Sequence, residues 1–70
     1  MYVVIEIKVK ADGTMETSKY DKTTRDLAEK AYHSVLTSAA DSKHPSHSAT
    51  LLNEQGQFIK SECYKHPEQA

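Results

Sequence analysis

Almost nothing in this chain can tie it together covalently or let it bend freely. Its 70 residues include one cysteine, two glycines, two prolines and no tryptophan. With Cys63 alone, no disulfide can form within one chain, and a lone thiol points to a reducing compartment. There is no apolar run long enough to span a bilayer and no charged, apolar, small-residue leader, so no membrane partner is expected and the expected location is the cytoplasm. The glycines stand at Asp12-Gly13 and Gln55-Gly56, both turn positions, which leaves no glycine-rich phosphate loop and no nucleophile elbow. No cysteine pair or acidic cluster completes a zinc site, so neither metal nor cofactor is expected.

Charge of one sign is also missing. Nine basic and ten acidic side chains are spread without a block, which argues against a nucleic-acid polymer as partner. A small nucleotide, which needs only one or two cations, stays open. Residues 1–70 read as a single small domain, for which one core supplies roughly 3 to 5 kcal/mol of net stability. Without disulfide or metal, the remaining staple is self-association, most simply a homodimer.

What the chain does have is alternation. Tyr2 to Lys10 reads as a β-strand, with Val3, Ile5, Ile7 and Val9 on one face and Tyr2, Val4, Glu6, Lys8 and Lys10 on the other. The first set, being the more apolar, is expected to face the core. Ala11-Asp12-Gly13 is a turn. A bulged type I turn pairs Val9 with Met15, Lys8 with Glu16, Ile7 with Thr17 and Val4 with Tyr20, which matches apolar with apolar and opposite charges with each other. A second strand then runs from about 14 to 20.

From Asp21 the period changes. Asp21 or Thr23 can cap a helix carrying Leu27, Ala28, Ala31, Tyr32, Val35, Leu36 and Ala39 on one stripe, to about Ala40. Pro45 ends the polar connection that follows. His47 to Leu52 and Gln57 to about Tyr64 form a second hairpin around Asn53-Glu54-Gln55-Gly56. The same turn logic, with no further irregularity, pairs Leu52 with Phe58, Leu51 with Ile59, Thr50 with Lys60 and His47 with Cys63. Residues 65–70 read as a polar tail. The expected fold is α+β, β-β-α-β-β, a four-stranded antiparallel sheet with one helix packed on one face and the first strand central.

These registers leave Tyr2, Val4, Tyr20, Leu52 and Phe58 on the open sheet face, an aromatic surface suited to oligomer contact. Ser48, Thr50, Lys60, Glu62 and Tyr64 join it as ligand contacts: rings stack on a base, Lys60 meets a phosphate, and the others meet ribose or base edges. His47 and His66, at one end of the sheet, complete the expected ligand contacts. Near Lys65 and Tyr64 the same two histidines suggest, as the alternative, a phosphodiesterase that cleaves the phosphodiester of a cyclic nucleotide signal by acid–base catalysis. Cys63 opposite His47 reads as a small buried thiol rather than a nucleophile. On the helix, Glu29, Lys30, Tyr32 and His33 can form a rim to any site.

Ala28-Glu29-Lys30-Ala31-Tyr32-His33-Ser34-Val35-Leu36, His47-Ser48-Ala49, Leu51-Leu52, Gly56, Ile59-Lys60, and Tyr64 with His66 resemble small uncharacterised phage, prophage and Clostridia-like proteins. The resemblance spans nearly the whole chain and carries no catalytic residue. It implies a phage-linked setting, where proteins of this size include anti-defence proteins that sequester nucleotide immune signals. The expected function is a homo-oligomeric binding protein that captures a small nucleotide-like signal, acting in the host cytoplasm if phage-encoded. Catalysis is not favoured. The further alternative is a protein-binding inhibitor module.

Overall fold

In the computed structural model, which describes residues 1–66, four strands and one helix run β1 Tyr2–Val9, β2 Met15–Lys22, α1 Arg25–Ala40, β3 Ser46–Asn53 and β4 Phe58–Lys65. The strands form one antiparallel sheet in the order β2-β1-β3-β4. The fold is thus α+β, β-β-α-β-β, with β1 central. The expected tail begins inside β4, and its residues 67–70 lie outside the described residues.

Both hairpins close with the same bulged turn. Lys10 N–H donates to Thr14 O (2.8 Å) and Gly13 N–H to Lys10 O (2.9 Å), while Asn53 N–H donates to Gln57 O (3.1 Å) and Gly56 N–H to Asn53 O (3.0 Å). Gly13 and Gly56 take φ of 90° and 80°, a left-handed conformation that side-chain-bearing residues rarely adopt. The first hairpin keeps the expected pairs, Val4 with Tyr20, Ile7 with Thr17 and Lys8 with Glu16.

Helix α1 starts one residue beyond the expected caps. Thr24, rather than Asp21 or Thr23, has extended φ and ψ, and its hydroxyl accepts from Leu27 N–H at 3.2 Å. Ala28, Tyr32, Val35, Leu36 and Ala39 are buried against the sheet. Leu27, expected on the stripe, is exposed.

The helix lies on the other face of β1 from the one expected. Val4 is fully buried and Glu6 nearly so, whereas Val3, Ile5, Ile7 and Val9 are only half-buried. The cause is the long-range register: β3 pairs Leu51 with Val4 and Ala49 with Glu6. Leu51 and Ala49 are buried in the helix-side core, and directly paired residues share a face. Val4 and Glu6 must therefore follow them under α1.

A second irregularity corrects β4. Leu52 pairs with Phe58 as expected, but Leu51 pairs with Lys60, so Ile59 is an extra, bulged residue. Past the bulge every side chain changes face. Lys60, Glu62 and Tyr64 now share the helix face with Leu51, Ala49 and His47, and Cys63 pairs with Ser48 instead of His47. Cys63 is exposed, not buried. Among the described residues no helix is long and apolar enough to cross a membrane.

Candidate functional site

The expected oligomer face is divided by these registers. Tyr2 and Val4 belong to the helix-side core, and Tyr20 shares their face. Leu52 and Phe58 remain on the open face, where Phe58 is 64 % exposed. Their neighbours there are Val3, Ile5, Ile7, Val9 and Met15. The open face exists, then, but it is aliphatic in the middle rather than aromatic. Ser48 and Thr50 are also on it, separated by the sheet from the other expected ligand contacts.

Lys60, Glu62 and Tyr64 do come together, under the helix. With Tyr32, His33 and Asp41 they line a groove of about 700 Å³ between α1 and β4, within the usual range of roughly 300 to 1,000 Å³ for small-molecule sites. Lys60 Nζ donates to Glu29 Oε1 at 2.8 Å and lies 5.5 Å from the centre of the Tyr32 ring. Glu29 also receives Arg25 (3.4 Å) and lies 3.7 Å from His33. The Lys60 hydrogen bond is the main reason the Glu29 carboxyl sits below its ordinary range. Burial first, and then the nearby charge of Glu62, raise the Tyr32 phenol. Tyr64 stacks on His66, with centroids 6.5 Å apart and planes at 13°.

The two histidines of the phosphodiesterase alternative are both occupied. His66 Nε2 is 2.8 Å from Ala39 O; a carbonyl can only accept, so this nitrogen carries the proton. His47 is buried at 3 % exposure, with Nε2 2.6 Å from Glu6 Oε2. Tyr20 Oη donates to Glu6 Oε1 at 2.9 Å. Burial raises the Glu6 pKa, but the hydrogen bonds from His47 and Tyr20, helped by the charge of Lys8, more than offset it and leave the carboxyl below 4.5. An ionised carboxylate only accepts, so His47 Nε2 is the donor. His47 Nδ1 is buried without a partner.

The Glu6–His47–Tyr20 network was not expected from the sequence as a site. One signal was present: a carboxylate in the middle of the most apolar strand and a histidine in a second strand of small and apolar residues each demand a buried partner. His44 stands edge-on to His47 at 6.0 Å between centroids. Among the described residues no group of three or more His, Cys, Asp or Glu is placed to hold a metal ion.

The comparisons with known proteins return no match: no family model, no curated protein and no solved structure aligns significantly with the chain.

Proposed function

We propose that the protein is a homodimeric binding protein that captures a small nucleotide-like molecule without transforming it. The observation that carries this reading is the α1–β4 groove, which sets Tyr32, Tyr64, Lys60 and Glu62 around one open volume. A planar base packs against the half-buried Tyr64, and the Glu62 carboxylate accepts from its ring or exocyclic N–H groups. Lys60 meets a phosphate by exchanging its bond to Glu29. Among the described residues Lys60 is the one lysine or arginine lining the groove, and Glu62 and Asp41 offset it, so the ligand carries few phosphates.

Sequestration is favoured over cleavage because the Nε2 atoms of His47 and His66 are committed to Glu6 and Ala39. In the phage-linked setting that the sequence resemblance implies, capture withholds a host immune signal. Self-association is supported by the uncovered face of Val3, Ile5, Ile7, Val9, Leu52 and Phe58, which takes over the role expected of the aromatic set.

The test is incubation with cyclic dinucleotides and ADP-ribose derivatives, removal of free ligand, heat denaturation and mass analysis of what is released. Release of an intact nucleotide by the wild-type chain, with loss of retention in Tyr64→Ala and Lys60→Ala, is expected. A product of altered mass favours the phosphodiesterase alternative, and no retention contradicts nucleotide capture.

A further inference from the structure

Across the helix from that groove, a smaller cleft of about 250 Å³ opens between α1 and β2, lined by Glu6, Tyr20, Ala31, Ser34, Val35 and Ser38. Its chemistry is unlike that of the groove. Glu6, at 6 % exposure, contributes a carboxylate, while Ser34 and Ser38 are exposed helix residues that place hydroxyls at the rim. Ala31, Val35 and the Tyr20 ring make the remaining wall apolar.

The carboxylate is held but not saturated. Oε1 accepts from Tyr20 and Oε2 from His47, whereas an ionised carboxylate offers about four lone-pair sites. The fixed donors aim both oxygens while leaving acceptor capacity on each. Lys8, whose charge acts on Glu6, and the donor His47 do not line the cleft. Nor does this pair explain itself as a stabilising device, since burying a carboxylate with an imidazole gains little over apolar packing. A buried charge at the wall of a cleft is better accounted for by a ligand that needs it.

We propose that the α1–β2 cleft binds a primary alkylammonium group, whose N–H donors reach the free lone pairs of Glu6 and the Ser34 and Ser38 hydroxyls while its short apolar stem lies against Ala31, Val35 and the Tyr20 ring. The volume falls below the range of roughly 300 to 1,000 Å³ typical of drug-sized ligands, which suits an amine of a few carbons. The same group arrives either on a free amine or on a lysine side chain. This site is separate from the α1–β4 groove and does not depend on nucleotide capture.

The test is a titration of the full chain with n-butylammonium chloride, read by backbone amide shifts, with n-butanol as the neutral comparator and Nα-acetyl-lysine amide as the side-chain probe. Saturable shifts at Glu6, Tyr20, Ser34 and Ser38 with n-butylammonium and none with n-butanol are expected. Binding of the lysine amide as well extends the site to a peptide source; binding of n-butylammonium alone assigns it to a free amine. Glu6→Gln weakens binding about tenfold or more by removing the charge-assisted bond. Because that change can also disturb folding, Ser34→Leu provides the second variant. It fills the cleft from an exposed position and abolishes the shifts while leaving the circular dichroism unchanged. Equal shifts with n-butanol, undiminished binding in Ser34→Leu, or no saturable shifts in the wild-type chain overturn the proposal.

Discussion

Glu6 and His47 are a polar pair inside a core whose whole net stability is small. Removing one partner of a buried pair costs about 3 to 5 kcal/mol, as much as a domain of this size has to lose. Glu6→Leu and His47→Leu should therefore each be largely unfolded by circular dichroism and urea titration. The double replacement removes both orphaned groups at once and should be more stable than either single variant. Glu6 also makes the fold acid-sensitive. Its folded pKa lies below 4.5, so on acidification the unfolded chain takes up the proton first. The stabilisation is fully present above pH 4.5 and is lost as pH falls through the lower folded value. Urea midpoints should drop across that window, and Glu6→Gln should flatten the drop. At this scale the sequence was half legible. It shows that a charged residue interrupts an apolar strand, but the identity of its partner, 41 residues away, depends on tertiary register.

Local chemistry was legible where it is local. The Asp12-Gly13 turn and the register of β1 on β2 follow from neighbouring residues and stand as expected, as does the helical stripe apart from the exposed Leu27. The two misreadings that displace the site residues arise where local rules stop. The bulge at Ile59 has no glycine or proline to announce it, and that one extra residue moves Lys60, Glu62 and Tyr64 under the helix. The choice of helix-facing side in β1 was made by apolarity, whereas β3 pairing decides it. Two element-scale outcomes follow. Thr24→Ala removes the N-cap acceptor of α1 and should lower stability by about 1 kcal/mol in urea unfolding. Glu29 gathers Lys60, Arg25 and His33 on one carboxylate. Glu29→Gln should release these donors and tighten nucleotide binding in the α1–β4 groove several-fold, most strongly at low salt; unchanged affinity would show that Lys60 plays no part in holding phosphate.

For the whole molecule the consequence of the reversed β1 is an uncovered face. Val3, Ile5, Ile7 and Val9 form its middle, with Leu52, Phe58 and Met15 around them, and one helix covers only the opposite side. Eight-residue strands in a four-stranded sheet give a footprint of roughly 25 by 19 Å, enough to contribute several hundred Å² per copy to a dimer near the lower end of the usual interface sizes. Ile5→Lys places a charge at the centre of this face and should abolish the proposed dimer without unfolding the chain, as read by light scattering beside circular dichroism. The central claim joins this assembly to capture of an intact nucleotide, and native mass spectrometry of the protein incubated with cyclic dinucleotides and ADP-ribose derivatives tests both together. A species of twice the chain mass carrying an adduct of unaltered nucleotide mass is the predicted result; a monomer without adduct would contradict it.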